Sequence, residues 1–191
     1  MAELIVTRST GWSGGEPAVV MITGIQAAGK STVAQALAER LPRSVHVRGD
    51  LFRRMVVGGR AELTPDPSDE AVRQLHLRYR LAADVVDGYV AAGFTAIVQD
   101  IVLGDDLARM LRLIRSRPLL VVVLAPSPEA VAAREAGRGK TGYGIWGISQ
   151  LDDELRKATP RIGLWLDTSD QTVEETVAEI MTRGWSEGRV P

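Results

Sequence analysis

The stretch GIQAAGKST, residues 24–32, decides the fold that this sequence predicts. It follows AVVMIT, residues 18–23, an apolar run of strand length. It leads into VAQALAERL, residues 33–41, whose apolar spacing is typical of a helix. Two glycines, a lysine and two hydroxyl side chains therefore stand where a strand turns into a helix.

Four residues of this stretch, Gly24, Gly29, Lys30 and Ser31, match the pattern GxxxxGK[ST] of a phosphate-binding loop. Glycines let successive backbone N–H groups point at phosphate oxygens, and the helix start adds unpaired donors and a positive dipole end. We predict that Lys30 reaches the terminal phosphates and that the Ser31 hydroxyl ligates Mg²⁺. The residues predicted to hold the nucleotide are Gly24, Ala27, Ala28, Gly29, Lys30, Ser31 and Thr32. The alternative is a glycine-rich turn that binds no ligand.

Composition limits the other classes of function. The chain has 191 residues, 45% of them apolar, a net charge of −1 and no cysteine. It is long enough for one domain with its own core, and it has no thiols for disulfides or thiolate metal sites. No apolar run is long enough to span a bilayer and no secretory start is visible, so we expect a cytoplasmic protein without a membrane partner. The charge gives no support for nucleic-acid binding, although a local basic cleft would not change the total.

Apolar segments of strand length alternate with segments of helical spacing along the chain. This alternation predicts a parallel sheet covered by helices on both faces, in one domain over residues 18–191. Residues 1–17 form a lead-in whose composition permits flexibility. The predicted strands are 18–23, 44–48, 95–102, 119–125 and 163–167, and the predicted helices are 31–41, 69–92, 105–115, 127–136, 148–157 and 172–183.

The nucleotide is predicted to be ATP. GTPases normally recognise guanine through an Asn-Lys-x-Asp element, and this chain contains no asparagine. The sequence therefore favours ATP over GTP.

A candidate base stands at the end of the second predicted strand, in SVHVRGDLFRR, residues 44–54. In parallel sheets, active-site residues lie at the carboxyl ends of the strands, so Asp50 is expected beside the phosphate loop. There it would accept or orient the proton of an attacking hydroxyl. The alternative is that Asp50 caps the helix LFRRM, and the two roles are compatible. Arg53 and Arg54 either hold an anionic part of the acceptor or form a solvated helix face.

Asp100 ends another predicted strand, in IVQDIV, and we expect it to hold Mg²⁺ through water or to contact the acceptor. Arg134, Arg138 and Lys140 lie around a glycine-rich segment, and the sequence predicts a lid near 134–147 that closes over the phosphates. A solvated basic turn is the alternative. The loop VVGGRAELTPDPS at 56–68 is either a surface loop or a second lid.

Five stretches together, in this order, resemble the chloramphenicol phosphotransferase-like group of small P-loop kinases over residues 18–184. They are GIQAAGKST, VRGD, AGFTAIVQDIVLG, AREAGRGKTGYG and WLDTSDQTVEETV. The resemblance implies a three-layer α/β fold with a five-stranded parallel sheet in the order 2-3-1-4-5. It also implies transfer of a phosphate from ATP to a small-molecule hydroxyl.

The resemblance also assigns residues. Asp50 matches the family's base, Lys30 and Ser31 match its phosphate-loop ligands, and Arg134 and Arg138 match its lid arginines. The family often has paired acids where this chain has Gln99 and Asp100. The loop at 56–68 has no match, so the identity of the acceptor does not carry over.

Two other functions remain open from the sequence. One is a polynucleotide or nucleoside kinase, because Gly-Asp followed by arginines also occurs in kinases that act at nucleic-acid ends. The other is a regulatory module that binds a nucleotide and transfers no phosphate.

Overall fold

Strand β1, Val19–Thr23, lies in the middle of the sheet, and all five of its residues are buried. A strand covered on both faces loses the usual alternation of apolar and polar side chains. The same holds for its neighbours β3, Thr95–Gln99, and β4, Leu119–Leu124. Met21 of β1 pairs with Val98 of β3 on one side and with Val121 of β4 on the other.

The computed structural model describes Trp12 and residues 15–137 and 147–191. The other strands in this part of the chain are β2, Ser44–Arg48, β5, Leu164–Leu166, and β6, Arg189–Val190. The helices are α1, Lys30–Arg40, α2, Gly49–Met55, α3, Asp69–Ala91, α4, Asp105–Leu113, α5, Pro128–Ala136, α6, Ile148–Asp153, and α7, Val173–Glu187, with a π-helical turn at Glu154–Ala158.

The first five strands are parallel and lie in the order β2-β3-β1-β4-β5, which confirms the predicted fold and strand order. Helix α1 packs against α7, and α3 packs against α4. The two helix pairs cover the sheet and bury one continuous apolar core.

Strand β6 was not predicted. Beyond α7 the chain continues through Gly188, and the N–H of Val121 donates to the Gly188 carbonyl at 2.8 Å. Arg189 and Val190 then pair antiparallel with the first residues of β4. A strand of two residues is too short to leave an apolar pattern in the sequence.

Strand β3 and the helix predicted at 148–157 also differ from their predicted form. Strand β3 ends at Gln99 rather than at residue 102 because Val102 leaves the sheet and exchanges two hydrogen bonds with the Thr23 hydroxyl, at 2.8 and 3.0 Å. The helix predicted at 148–157 ends in a π-helical turn, in which the N–H of Thr159 donates to the Glu154 carbonyl at 3.0 Å. Such wide turns are frequent at functional sites.

One residue of the lead-in belongs to the packed structure. Trp12 is 5% exposed, its ring stacks on Trp185 at a centroid distance of 6.3 Å, and its backbone N–H donates to the Met181 carbonyl at 3.0 Å. Residues 1–11, 13 and 14 lie outside the described residues. Within the described ranges, no helix combines the length and apolar character needed to cross a bilayer.

Gly163, at the start of β5, packs closely against Val121 of β4, and substituting it tests this contact. Its φ is +77°, and a Cβ atom there would lie 2.4 Å from the carbonyl oxygen of Val121. Gly59 has a similar φ of +72° with no described atom within 4 Å, so it is a matched control. We expect Gly59→Ala to lower the free energy of unfolding by about 1–2 kcal/mol through φ alone. Gly163→Ala should lower it by about 1–3 kcal/mol more through the steric clash.

Urea unfolding followed by circular dichroism measures both variants. Equal losses in the two variants would show that the contact with Val121 is not what excludes a side chain.

Candidate active site

The loop between β1 and α1 depends on positive φ angles. Gly24 has a φ of +145°, and a Cβ atom on it would lie 2.4 Å from the carbonyl oxygen of Leu124 on β4. Gly29, with φ +95°, occupies the N-cap position of α1. Ala27 adopts φ +61° although it carries a side chain, which costs about 1–2 kcal/mol. The loop thus has a specific, partly strained shape.

Lys30 and the start of α1 make this loop electropositive. The Lys30 side chain is buried, and its Nζ donates to the Ile25 carbonyl at 2.7 Å. The first hydrogen bonds of the helix run from the N–H groups of Thr32 and Val33 to the Gly29 carbonyl, so the amides of Gly29, Lys30 and Ser31 precede them. These amides, the positive dipole end of α1 and one ammonium group suit a bound phosphate chain.

A cleft of about 400 Å³ adjoins the loop on the side of α5 and α7. Arg134 crosses one edge of it, donating to the carbonyls of Ala28 at 3.5 Å and Ser169 at 3.4 Å and also to that of Thr168. Arg134 therefore links the phosphate loop to the segment after β5. Arg138 and Lys140 lie outside the described residues, as do residues 138–146 of the predicted lid.

Asp50 lies in the first turn of α2, whose N-cap residue is Arg48. The alternative role of Asp50 as a helix cap is therefore wrong, because the helix begins one residue before it, at Gly49. Its carboxylate pairs with Arg54 at 2.7 Å and with Arg48 at 3.7 Å. Its buried Oδ1 accepts no hydrogen bond from any described residue, so this oxygen retains capacity to accept a proton or a hydrogen bond.

A second cleft, of about 440 Å³, lies between the start of α1 and the end of β2. Its lining includes Ser31 and Thr32 at the start of α1 and Arg48 at the end of β2. Arg48 is an ion-pair partner of Asp50. Asp50 and the predicted magnesium ligand Ser31 thus border the same region of the molecule.

Asp100 follows β3 and is 5% exposed. Arg78, on α3, binds both carboxylate oxygens: its Nε donates to Oδ2 at 2.5 Å and its Nη2 pairs with Oδ1. The N–H of Ile101 also donates to Oδ1, at 2.7 Å. The magnesium role of Asp100 stays a prediction, while its contact in the structure is with an arginine.

Arg78 is a site residue that the sequence analysis missed. Its side chain is 14% exposed, and burial lowers the pKa of its guanidinium. A signal was available, because Arg78 lies between Leu75 and Ala82 on the otherwise apolar face of α3. A cation on a buried helix face requires a buried partner.

Mg²⁺ is compatible with these residues. Among the described residues, no group of three or more histidines or acids is close enough together to hold a metal ion. Mg²⁺ bound with a nucleotide does not need such a group, because phosphates and waters supply most of its ligands. The partly exposed Ser31 hydroxyl, beside the electropositive loop, fits as a protein ligand.

The comparisons with known proteins fit this geometry. Residues 19–160 match the family AAA_33, described as AAA domain. The chain belongs to this family. It is also similar to a UPF0200 protein of Aeropyrum pernix, with 29% identity over 144 residues, covering 71% of this chain and 72% of that protein.

Two solved structures show the fold. A sugar kinase from Janibacter sp. superposes with a TM-score of 0.66 at 19% identity, covering 87% of this chain and 93% of that one. The Mycobacterium tuberculosis APS kinase in complex with AMPPNP and APS superposes with a TM-score of 0.65 at 18% identity, covering 86% and 95%. The chain thus has a P-loop kinase-like fold. The narrower resemblance to the chloramphenicol phosphotransferase-like group stays a prediction.

Gly49 precedes Asp50 in the chain and lies against the side chain of Asp100. A Cβ atom on it would lie 2.0 Å from Oδ2 of Asp100, so Gly49→Ala should displace Asp100 and lower the free energy of unfolding by about 1–3 kcal/mol. The matched helical control is Gly88→Ala, which meets no described atom within 4 Å and should raise it by about 0.5–1 kcal/mol.

Thermal and urea unfolding of the two variants measure the difference. If Gly49→Ala were as stable as Gly88→Ala, the close contact between Gly49 and Asp100 would be refuted.

Proposed function

We propose that this protein transfers the γ-phosphate of ATP to a hydroxyl group of a small molecule. The observation that carries the proposal is that Asp50, with one carboxylate oxygen still able to accept a hydrogen bond, pairs with Arg48, which lines the same cleft as Ser31 and Thr32 at the start of α1. A phosphate-binding loop alone is equally consistent with a regulatory switch protein or a motor protein. An acid beside it supplies the base that a hydroxyl acceptor requires.

The reaction needs one proton transfer and one phosphoryl transfer. Asp50 accepts the proton of the acceptor hydroxyl, and the acceptor oxygen forms a new bond to the γ-phosphorus. The bond between that phosphorus and the β–γ bridging oxygen breaks, and ADP leaves with the electron pair. Lys30 and the amides of Gly29 to Ser31 stabilise the charge that develops on the phosphate oxygens.

Mg²⁺ would be held by the Ser31 hydroxyl, with Asp100 as the predicted ligand through water, and would neutralise charge on the β- and γ-phosphates. Arg134 lies at the phosphate loop already, and we propose that it acts with Arg138 when the nucleotide is bound. The adenosine would occupy the cleft between the loop and the segment after β5.

The comparisons support this class of reaction. The sugar kinase and the APS kinase share the fold, and the latter binds the ATP analogue AMPPNP together with APS. The resemblance to the chloramphenicol phosphotransferase-like group supports a hydroxyl as the acceptor. The absence of asparagine supports ATP as the donor.

Two substitutions separate binding from transfer. Asp50→Asn removes the base and leaves the phosphate loop intact, so kcat should fall by about 10²–10⁴ with nearly unchanged affinity for ATP. Lys30→Ala removes a phosphate ligand and should impair both. Asp84→Asn is the control, because Asp84 is an exposed acid of α3 that pairs with Arg115.

A screen of hydroxylated metabolites and antibiotics for acceptor-stimulated ADP release supplies the kinetic assay, and calorimetry supplies the ATP affinity. Transfer by Asp50→Asn at the wild-type rate would show that the base is assigned wrongly. ATP binding without acceptor-dependent ADP release from the wild type would favour the regulatory module.

A further inference from the structure

A groove lies between α2, the helix that carries the candidate base, and α3. It contains a cavity of about 90 Å³ and also borders the loop at 56–68. Its lining is mainly apolar and includes Phe52, Val56, Leu63, Leu75, Leu77 and Leu81. Loop residues therefore contribute to a cavity, which the sequence analysis left undecided.

The rim of this α2–α3 groove exposes leucines to water. Leu63 and Leu77 are each 37% exposed, and Leu81 is 40% exposed. Large apolar side chains that gather around a cavity on the surface are typical of a binding site. The groove is thus suited to the apolar part of a ligand.

The polar side chains that line the groove already have partners within the protein. Arg53 pairs with Glu62, and Arg78 binds the buried carboxylate of Asp100. Gln74 holds the loop by accepting from the N–H of Ala61 at 3.0 Å and donating to the carbonyl of Gly59 at 2.8 Å. An anionic or many-hydroxyl ligand would have to compete with these contacts, whereas an apolar ligand leaves them intact.

Residues that line the groove connect it with the two acids of the candidate site. Arg78 lines the groove and binds Asp100, which lies against Gly49 next to Asp50 in the chain. Arg53, which also lines the groove, follows Asp50 by three residues on α2, and residues three apart are neighbours on a helix surface. A molecule seated among the leucines is therefore able to present a polar end towards Asp50.

We infer that the phosphate acceptor is a hydroxyl compound with an apolar body, which packs in the α2–α3 groove while its hydroxyl faces Asp50. The inference rests on the proposed function and names the class of its substrate. The hydroxyl oxygen forms the new bond to phosphorus, its proton passes to Asp50, and ADP leaves as described above. The acceptor class thus differs from the sugar and the APS named for the two kinases of similar fold.

The test compares acceptors of similar size and opposite polarity. With Mg·ATP, 3-phenyl-1-propanol and cyclohexylmethanol should stimulate ADP release, and xylitol and gluconate should not. Leu77→Gln and Leu81→Gln should each raise KM for 3-phenyl-1-propanol about tenfold, because one apolar contact is lost, with kcat and ATP affinity within about twofold. Met55→Gln is the control, since Met55 is 69% exposed on α2 and lies outside the groove lining.

Direct binding supplies a second readout that does not require turnover. Calorimetric titration of 3-phenyl-1-propanol should show binding to the wild type and to Met55→Gln, and about tenfold weaker binding to the two leucine variants. Circular dichroism establishes that each variant is folded.

The outcomes distinguish failure of the acceptor class from failure of the proposed function. ADP release stimulated only by xylitol or gluconate would overturn the inference and leave the proposed function standing, and so would equal KM values in the leucine and Met55 variants. Stimulation by none of the panel but by polar compounds of the broader screen would also overturn the inference alone. ATP binding without stimulation by any compound of the panel or of that screen would overturn the proposed function, and the inference with it.

Discussion

The turn from β1 into α1 is the constraint on which the rest of the site depends. Gly24 passes so close to the Leu124 carbonyl of β4 that no side chain fits, and Gly29 and Ala27 both have positive φ angles. Packing against β4, in addition to any ligand, fixes the path of the loop. The amides that precede the first hydrogen bonds of α1 are therefore held in place before a phosphate arrives, which lowers the cost of organising them on binding.

The chain segment after β3 brings a second group of residues to the same edge of the sheet. Thr23, the last residue of β1, binds both polar backbone groups of Val102, and the Tyr79 hydroxyl donates to the Ile101 carbonyl at 3.1 Å. Arg78 holds Asp100 in the same segment. Because α3 supplies both Tyr79 and Arg78, one helix fixes the segment that faces α2, and it also forms one wall of the α2–α3 groove. The wall of the proposed acceptor groove and the contacts of Asp100 thus belong to one helix.

The sequence predicted the parts of the molecule that are set by local patterns. GIQAAGKST predicted the strand, the turn and the helix, and the buried apolar runs predicted the central strands. Features that depend on distant partners were missed. Strand β3 ends early because of Thr23, which lies 79 residues from Val102, and the bidentate pair of Arg78 with Asp100 joins residues that are 22 apart. Asp50 was expected at the end of β2. It lies instead in the first turn of α2, because this helix begins at Gly49. The N-cap residue Arg48 is not one of the residue types that mark a helix start in a sequence.

The central claim is that the amides from Gly24 to Thr32 surround the phosphate chain of ATP. The most direct measurement is a titration of ¹⁵N-labelled protein with Mg·ATP, followed by amide chemical shifts. If the claim is correct, the largest shifts occur in Gly29, Lys30 and Ser31, and they saturate together. Saturable binding that leaves these amides unshifted, or the absence of any shift up to millimolar Mg·ATP, would contradict it.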